Sequence, residues 1–268
     1  MSRRRNPPTL TALLNQAVAG EKKPVAFVLA GHNGSGKSTL WNERLSKHLR
    51  IPLINADRLT LSILPERDPA TQSLPSWAQD FRDNDERWQR LSQEGVRAFT
   101  ALVMEQRLPF AFETVFSHWE KGPDGRHYSS KIEEIKNMQA AGYFVVLLFV
   151  GLISPGLSYF RVQTRLRSGG HDVPRSKIFG RFPRTQAAIG AASTLADMTL
   201  MFDNSRGLEE AFSLVRAQRG NEILYDCRDT KYYVGGDLRA IAGLWLRRVT
   251  GPWKSPATSS KPGPRKKR

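Results

Sequence analysis

The chain has 268 residues, of which 40% are hydrophobic and 25% charged, with a single cysteine, Cys227. That composition is ordinary for a soluble globular protein of one large or two small α/β domains, and it excludes an internal disulfide framework. Forty-one Lys and Arg against 25 Asp and Glu leave a formal charge of +16, which points to polyanionic partners, phosphorylated substrates or a basic tail.

In chain order, residues 1–23 read as a basic N-terminal extension with a short helix. The opening SRRRNPP and the closing SSKPGPRKKR have the apolar-poor composition of disordered ends. Short apolar runs follow at 25–31 (VAFVLAG), 52–57 (PLINAD), 109–114 (PFAFET), 143–152 (YFVVLLFVGL) and 199–204 (TLMFDN). Each is β-rich and apolar on both faces, as in strands covered by helices on two sides. Helical patterns occupy 37–49, 85–106 and 129–141, the last with Ile132, Ile135 and Met138 at helical spacing. The alternation predicts a doubly wound, parallel α/β sheet of about five strands.

After the fifth strand come a segment at 209–219, a hairpin around 222–234 and an amphipathic helix at 238–249. Residues 24–250 form one predicted domain, and 251–268 a basic tail. The longest apolar run, residues 143–153, is far short of the roughly 20 residues a membrane span needs. With no secretory apolar core at the start, the expected address is the cytoplasm.

The first strand runs into GHNGSGKST, residues 31–39, which matches G-x-x-x-x-G-K-[ST] at Gly31, Gly36, Lys37 and Ser38. Glycines let the backbone wrap so that N–H groups and the following helix N-terminus face a phosphate; His32, Asn33, Gly34, Ser35 and Thr39 complete the loop. Lys37 is placed to neutralise the β- and γ-phosphates of ATP, and Ser38 to ligate Mg²⁺. Such a loop serves kinases, motors, switches and regulatory ATPases alike.

The carboxyl ends of the other strands carry the discriminating groups, because ligands of open α/β sheets sit there. Strand two ends in Asn55-Ala56-Asp57 and strand three in Glu113-Thr114. One carboxylate can take the proton of an attacking hydroxyl while the other organises Mg²⁺ or substrate. Asp57 is the candidate base and Glu113 a metal, water or substrate contact. Asp203 is a weaker rival for the metal role and, followed by Asn204-Ser205, reads as turn chemistry.

Two further features stand out. Residues 59–87 form a Pro- and Trp-containing segment expected to cover the acceptor side; Trp77 and the adjoining Trp88 fit either stacking on a base or sugar or, the preferred reading, packing on helices. Residues 165–182, RLRSGGHDVPRSKIFGRF, carry five Lys or Arg and one acid. A solvated loop, a nucleic-acid contact and a phosphate-holding device all fit that charge. His171 within it has no second His or Cys at ligand spacing, which rejects a zinc site.

GHNGSGKST, INAD, AFET, RSGGHDVP with a downstream Arg-Phe, and FDNS occur in the order found in zeta-toxin-like P-loop kinases, which the chain resembles over about residues 24–206. The resemblance implies a Mg-ATP-dependent kinase that phosphorylates a hydroxyl of a nucleotide-like acceptor such as UDP-N-acetylglucosamine, and a small antitoxin partner. It implies that Lys37 and Ser38 hold phosphates and Mg²⁺, that Asp57 is the base and that Glu113 contacts substrate. Arg165 and Arg181 correspond to paired lid arginines, with Arg167 a neighbouring alternative, on a lid of about residues 161–184. Val115 stands where the family often has a hydroxyl; Thr114 and Ser117 flank it and join Asn55 on the acceptor side. Two other classes fit part of the sequence: a nucleic-acid end kinase or RNA-binding ATPase acting through the basic tail, and a non-enzymatic nucleotide switch.

Overall fold

The computed structural model describes residues 4–19, 22–71, 73–121, 128–167 and 173–253. The basic tail from residue 254 and the Gly-Gly-His-Asp core of the lid, 169–172, lie outside the described residues.

Helix α1 (Leu10–Ala19) leads into β1 (Val25–Gly31), which is buried along its whole length. The helical stretch after the phosphate loop is built from α2 (Lys37–Leu40), a π-helical turn (Trp41–Leu45) and α3 (Ser46–Leu49). Strand β2 is only Leu53–Ile54, because Asn55 caps α4 (Ala56–Ser62) by accepting from the Arg58 amide at 3.1 Å. Asp57 therefore stands in the first turn of a helix, three residues beyond the strand on which the sequence pattern placed it.

Helices α5 (Ser76–Asn84) and α6 (Glu86–Glu105) follow, the latter capped by Asp85. Next come β3 (Phe110–Thr114), the small ribbon β4 (Trp119–Lys121) and β5 (Tyr128–Ser130), α7 (Ile132–Ala140) and β6 (Phe144–Gly151). Helices α8 (Pro155–Arg167) and α9 (Arg175–Leu195) precede β7 (Met198–Asp203). Strands β8 (Ser213–Arg219) and β9 (Glu222–Asp226) and helix α10 (Leu238–Thr250) complete the fold.

The main sheet has the order β2-β3-β1-β6-β7-β8-β9. Its first five members are parallel, as the five apolar runs predict, and β8 and β9 extend it antiparallel. The hairpin differs from expectation: its arms are 213–219 and 222–226, joined at Gly220 (φ +52°) and Asn221. Tyr232, expected in its second arm, instead bridges to Arg5, whose amide and carbonyl bond Lys231 and Tyr233 at 2.8 Å. The opening residues are thus tied down from Arg5 onward, against their compositional reading.

Because β1 lies between β3 and β6, the chain winds outward from it in both directions, and the crevice at its carboxyl end is where ligands bind in such sheets. The register places Leu29 opposite Glu113, Ala30 opposite Thr114 and Gly31 opposite Val150. Glu113 thereby stands beside the start of the phosphate loop. No helix among the described residues is long and apolar enough to cross a membrane.

Candidate active site

The loop after β1 is held from behind by two neighbouring elements. Ser158 of α8 donates its hydroxyl to Asn33 O at 2.6 Å, and Asn204 after β7 donates its amide to Ser35 O at 2.8 Å. Gly34 (φ +66°) and Gly36 (φ +90°) adopt left-handed backbone that disfavours side chains. A Cβ on Gly34 would stand 2.9 Å from Ser158 O, and one on Gly36 2.7 Å from Asn204 Nδ2, so both approaches require glycine.

Gly36 precedes α2 without a side-chain cap, leaving the first-turn amides directed into the loop. The Lys37 ammonium donates to Gly31 O and His32 O, both at 3.1 Å. Those carbonyls use two of its three donors. Burial lowers the Lys37 pKa, Glu113 and Asp57 act to raise it, and Arg165 acts to lower it. The three residues nominated from distant parts of the sequence thus share one electrostatic neighbourhood with the loop lysine.

Ser38 Oγ donates to Glu113, 3.0 Å from Oε1 and 3.3 Å from Oε2, and Asn55 Nδ2 donates to Glu113 Oε2 at 2.7 Å. A cleft of about 390 Å³ opens above this network; Ser38, Asn55, Asp57 and Arg165 line it. Arg67, Arg82, Gln89, Ser92 and Gln93 also line it, none of them singled out individually by the sequence pattern. Thr60 Oγ1 and Ser92 Oγ, 2.5 Å apart, join α4 to α6 beside it.

Helical periodicity sorts the lid arginines. Arg161, Val162 and Arg165 share the α8 face of Ser158, whereas Arg167 falls on the opposite face. Arg161, absent from the sequence-derived set, flanks Gly34; burial lowers its pKa while Asp203 acts to raise it. The signal that could have found it is its i,i+4 spacing to Arg165. Arg181 is half-buried on α9, its pKa lowered by burial and by Arg184.

The remaining nominees have more local settings. Thr114 Oγ1 accepts from the Phe116 amide at 3.1 Å, and Ser117 is half-buried beyond it. Thr39 is exposed on the first helical turn. His32 is buried, stacked on Phe182. Trp88 packs against the Leu64, Leu74 and Ala78 cluster as expected, but Trp77 is 56% exposed and touches the edge of Phe81. Asp203 is fully buried and accepts from Trp245 Nε1 at 2.7 Å and from the Ser205 amide and hydroxyl, which is the turn chemistry its sequence context indicates.

The site can be asked whether it fits ATP and Mg²⁺. Among the described residues no group of three or more His, Cys, Asp or Glu is placed to hold a metal ion. A hydroxyl beside a single carboxylate, at the rim of a phosphate loop, is nevertheless the hard-oxygen set that Mg²⁺ uses when phosphates and water supply its other ligands.

Comparison with known proteins finds likenesses of fold and a family. The structure of the AvrRxo1-ORF1:AvrRxo1-ORF2 complex with sulphate ions matches with a TM-score of 0.55 at 14% identity, covering 92% of this chain and 73% of the other. The complex with ATP gives 0.54 at 13% identity with the same coverage. A structure from the PezAT chromosomal toxin-antitoxin system of Streptococcus pneumoniae gives 0.49 at 15% identity, covering 92% and 87%. At such identities the AvrRxo1 matches are a likeness of fold. No curated protein matches the sequence. The Zeta toxin family model matches residues 11–227, most of the chain, and the protein belongs to that family of P-loop kinase folds.

Proposed function

We propose that this protein is a Mg-ATP-dependent kinase that transfers the γ-phosphoryl group to a hydroxyl of a nucleotide-like acceptor, of which UDP-N-acetylglucosamine is the first to try. The observation that carries this reading is the convergence of Ser38, Asp57 and Arg165 on one cleft, directly above the Ser38–Glu113–Asn55 network. A bare nucleotide switch has no need of an exposed carboxylate facing an acceptor-sized space.

In this reading Lys37 and the loop amides hold the phosphate chain. Ser38 and Glu113 would hold Mg²⁺, which would supply positive charge to the phosphate chain when bound. The Asp57 carboxylate takes the acceptor's hydroxyl proton as that oxygen bonds to the γ-phosphorus, and the bridging bond to the β-phosphate breaks to leave ADP. Arg165 and Arg181 meet the negative charge that spreads over the transferring oxygens. Asn55, Thr114 and Ser117 belong to the acceptor side.

The family's name and the two-chain AvrRxo1 complexes support a small antitoxin as protein partner. The lone buried Cys227, its pKa pushed up to about 12 by burial, suits a cytoplasmic location. Purified protein incubated with Mg-ATP and a panel of nucleotide sugars and dinucleotides should phosphorylate at least one, and Lys37→Ala should abolish the product. Absence of transfer to every member of a broad panel overturns the reading.

A further inference from the structure

His32, the second residue of the phosphate loop, is 2% exposed, yet neither ring nitrogen has a hydrogen-bond partner among the described residues. Burying an imidazole in that way costs free energy, so its position asks for a compensating contact. The ring lies flat on Phe182, with centroids 3.8 Å apart and planes 12° apart, and it meets the edge of Phe149 at 5.7 Å. Burial, reinforced by Lys37, lowers its pKa to about 3, so the stacked ring is neutral at physiological pH.

Phe182 occupies a junction in α9. The N-terminal part of that helix contributes Ile178 to a small apolar cluster with Val162 and Val173 of the lid. The C-terminal part contributes Ala188, Ile189 and Ala192 to the main core. Phe182 is 3% exposed and lies between the two groups. Pro183 comes next, inside the helix. Its ring removes the amide that would bond the Phe179 carbonyl, so backbone coupling between the two halves is weakened at that point. Gly180 adds backbone freedom one turn away, with no heavy atom within 4 Å of where its Cβ would be. Arg181 sits between Gly180 and Phe182.

We propose that His32 is a positioning residue: its stack on Phe182 ties the lid half of α9 to the phosphate loop and so sets where Arg181 stands relative to that loop. The tie works in both directions within the loop. The His32 carbonyl accepts from Lys37 Nζ and from the Ser35 amide, both at 3.1 Å, so the residue that holds the lid also holds the loop lysine. The functional half of the proposal rests on the kinase reading of Arg181; the mechanical half does not.

The test combines hydrogen exchange with a double-mutant cycle in the full-length protein. His32→Ala should speed exchange of amides 175–182 by tenfold or more, leave those of 188–195 unchanged, and be rescued by His32→Phe, which keeps the stack. Binding of the fluorescent analogue MANT-ATP and turnover of Mg-ATP should weaken in His32→Ala and in Arg181→Ala. The double variant should be no worse than Arg181→Ala alone. Uniform loss of protection across α9, or no rescue by His32→Phe, overturns the tie. Losses that multiply in the double variant overturn action through Arg181. If Arg181→Ala is silent in both assays, the role of Arg181 falls and the functional half with it, while the exchange pattern still decides the tie.

Discussion

The Ser38 hydroxyl and the Glu113 carboxylate are hydrogen-bonded at 3.0 Å although 75 residues separate them in the chain. The parallel pairing of β1 with β3 brings them together, since Leu29 faces Glu113 two residues before the loop begins. Glu113 therefore shares its oxygens between the loop hydroxyl and the Asn55 amide that caps the helix carrying Asp57. One carboxylate fixes both the proposed metal side and the proposed base side of the cleft.

Replacing Glu113 by alanine should consequently raise the Mg²⁺ concentration needed for half-maximal activity and lower activity by about 10–100-fold. Glu113→Gln keeps the shape and the Asn55 contact in part, and should fall between wild type and Glu113→Ala. A magnesium titration of ATP turnover reads both.

The lid arginines should separate by helical face. Arg165 lines the cleft on the same α8 face as Ser158, and Arg167 lies opposite. Arg165→Ala should lower kcat by about 10²–10³-fold, the range for losing a donor aimed at developing charge. Arg167→Ala should leave kcat nearly unchanged. Steady-state kinetics of the two variants decide the order.

Much of this was legible in the residues. Strands β1, β3, β6 and β7 show as apolar runs because helices cover both faces, and the loop GHNGSGKST announces itself by its glycines. The segment 59–87 was expected over this cleft and supplies Arg67 and Arg82, but the individual lining residues were not legible, because Arg82 on α5 and Gln89 and Ser92 on α6 belong to no motif. The short β2 and the helical setting of Asp57 were missed because the Asn55 cap looks like the polar end of a strand. The β8–β9 hairpin was displaced in the reading because Lys231 and Tyr233 bond Arg5, a partner distant in sequence.

Gly34→Ala tests the loop's backing. Its φ of +66° and the 2.9 Å approach to Ser158 O leave no room for a methyl group. The substitution should destabilise the fold by more than about 1 kcal/mol and weaken nucleotide binding. Ser158→Ala, which loses only the bond to Asn33 O, should be milder. Urea denaturation and ATP-analogue titration give the two readouts.

Asp203 should behave as a structural anchor. Trp245→Phe removes the indole donor 2.7 Å from its carboxylate and should cost about 1–3 kcal/mol. Trp245→Ala also opens a cavity against Gly151 and Phe149 and should cost about 3–5 kcal/mol. Both variants, assayed below their melting range, should show the same Mg²⁺ dependence as wild type.

The neutral buried imidazole predicts a pH dependence of stability. The His32 pKa is lowered from 6.5 to about 3 by burial and Lys37. The unfolded chain takes up a proton there below about pH 6.5 and the folded chain does not, so acid favours unfolding through this residue. Its contribution falls by at most about 1.4 kcal/mol per pH unit as the pH drops from near 6.5 towards 3. His32→Phe should flatten that part of the profile, so the variant's stability relative to wild type should rise between pH 7 and pH 4.5 in urea titrations.

The central claim is that Asp57, which lines the same cleft as Ser38 of the phosphate loop, is the base of a small-molecule kinase. Mass spectrometry of cellular metabolites after induction of wild type and of Asp57→Ala tests it most directly. A new phosphorylated species seen with wild type and absent with Asp57→Ala, at equal protein levels and equal ATP-analogue affinity, is the predicted result. The same species in both, or none in either, contradicts it.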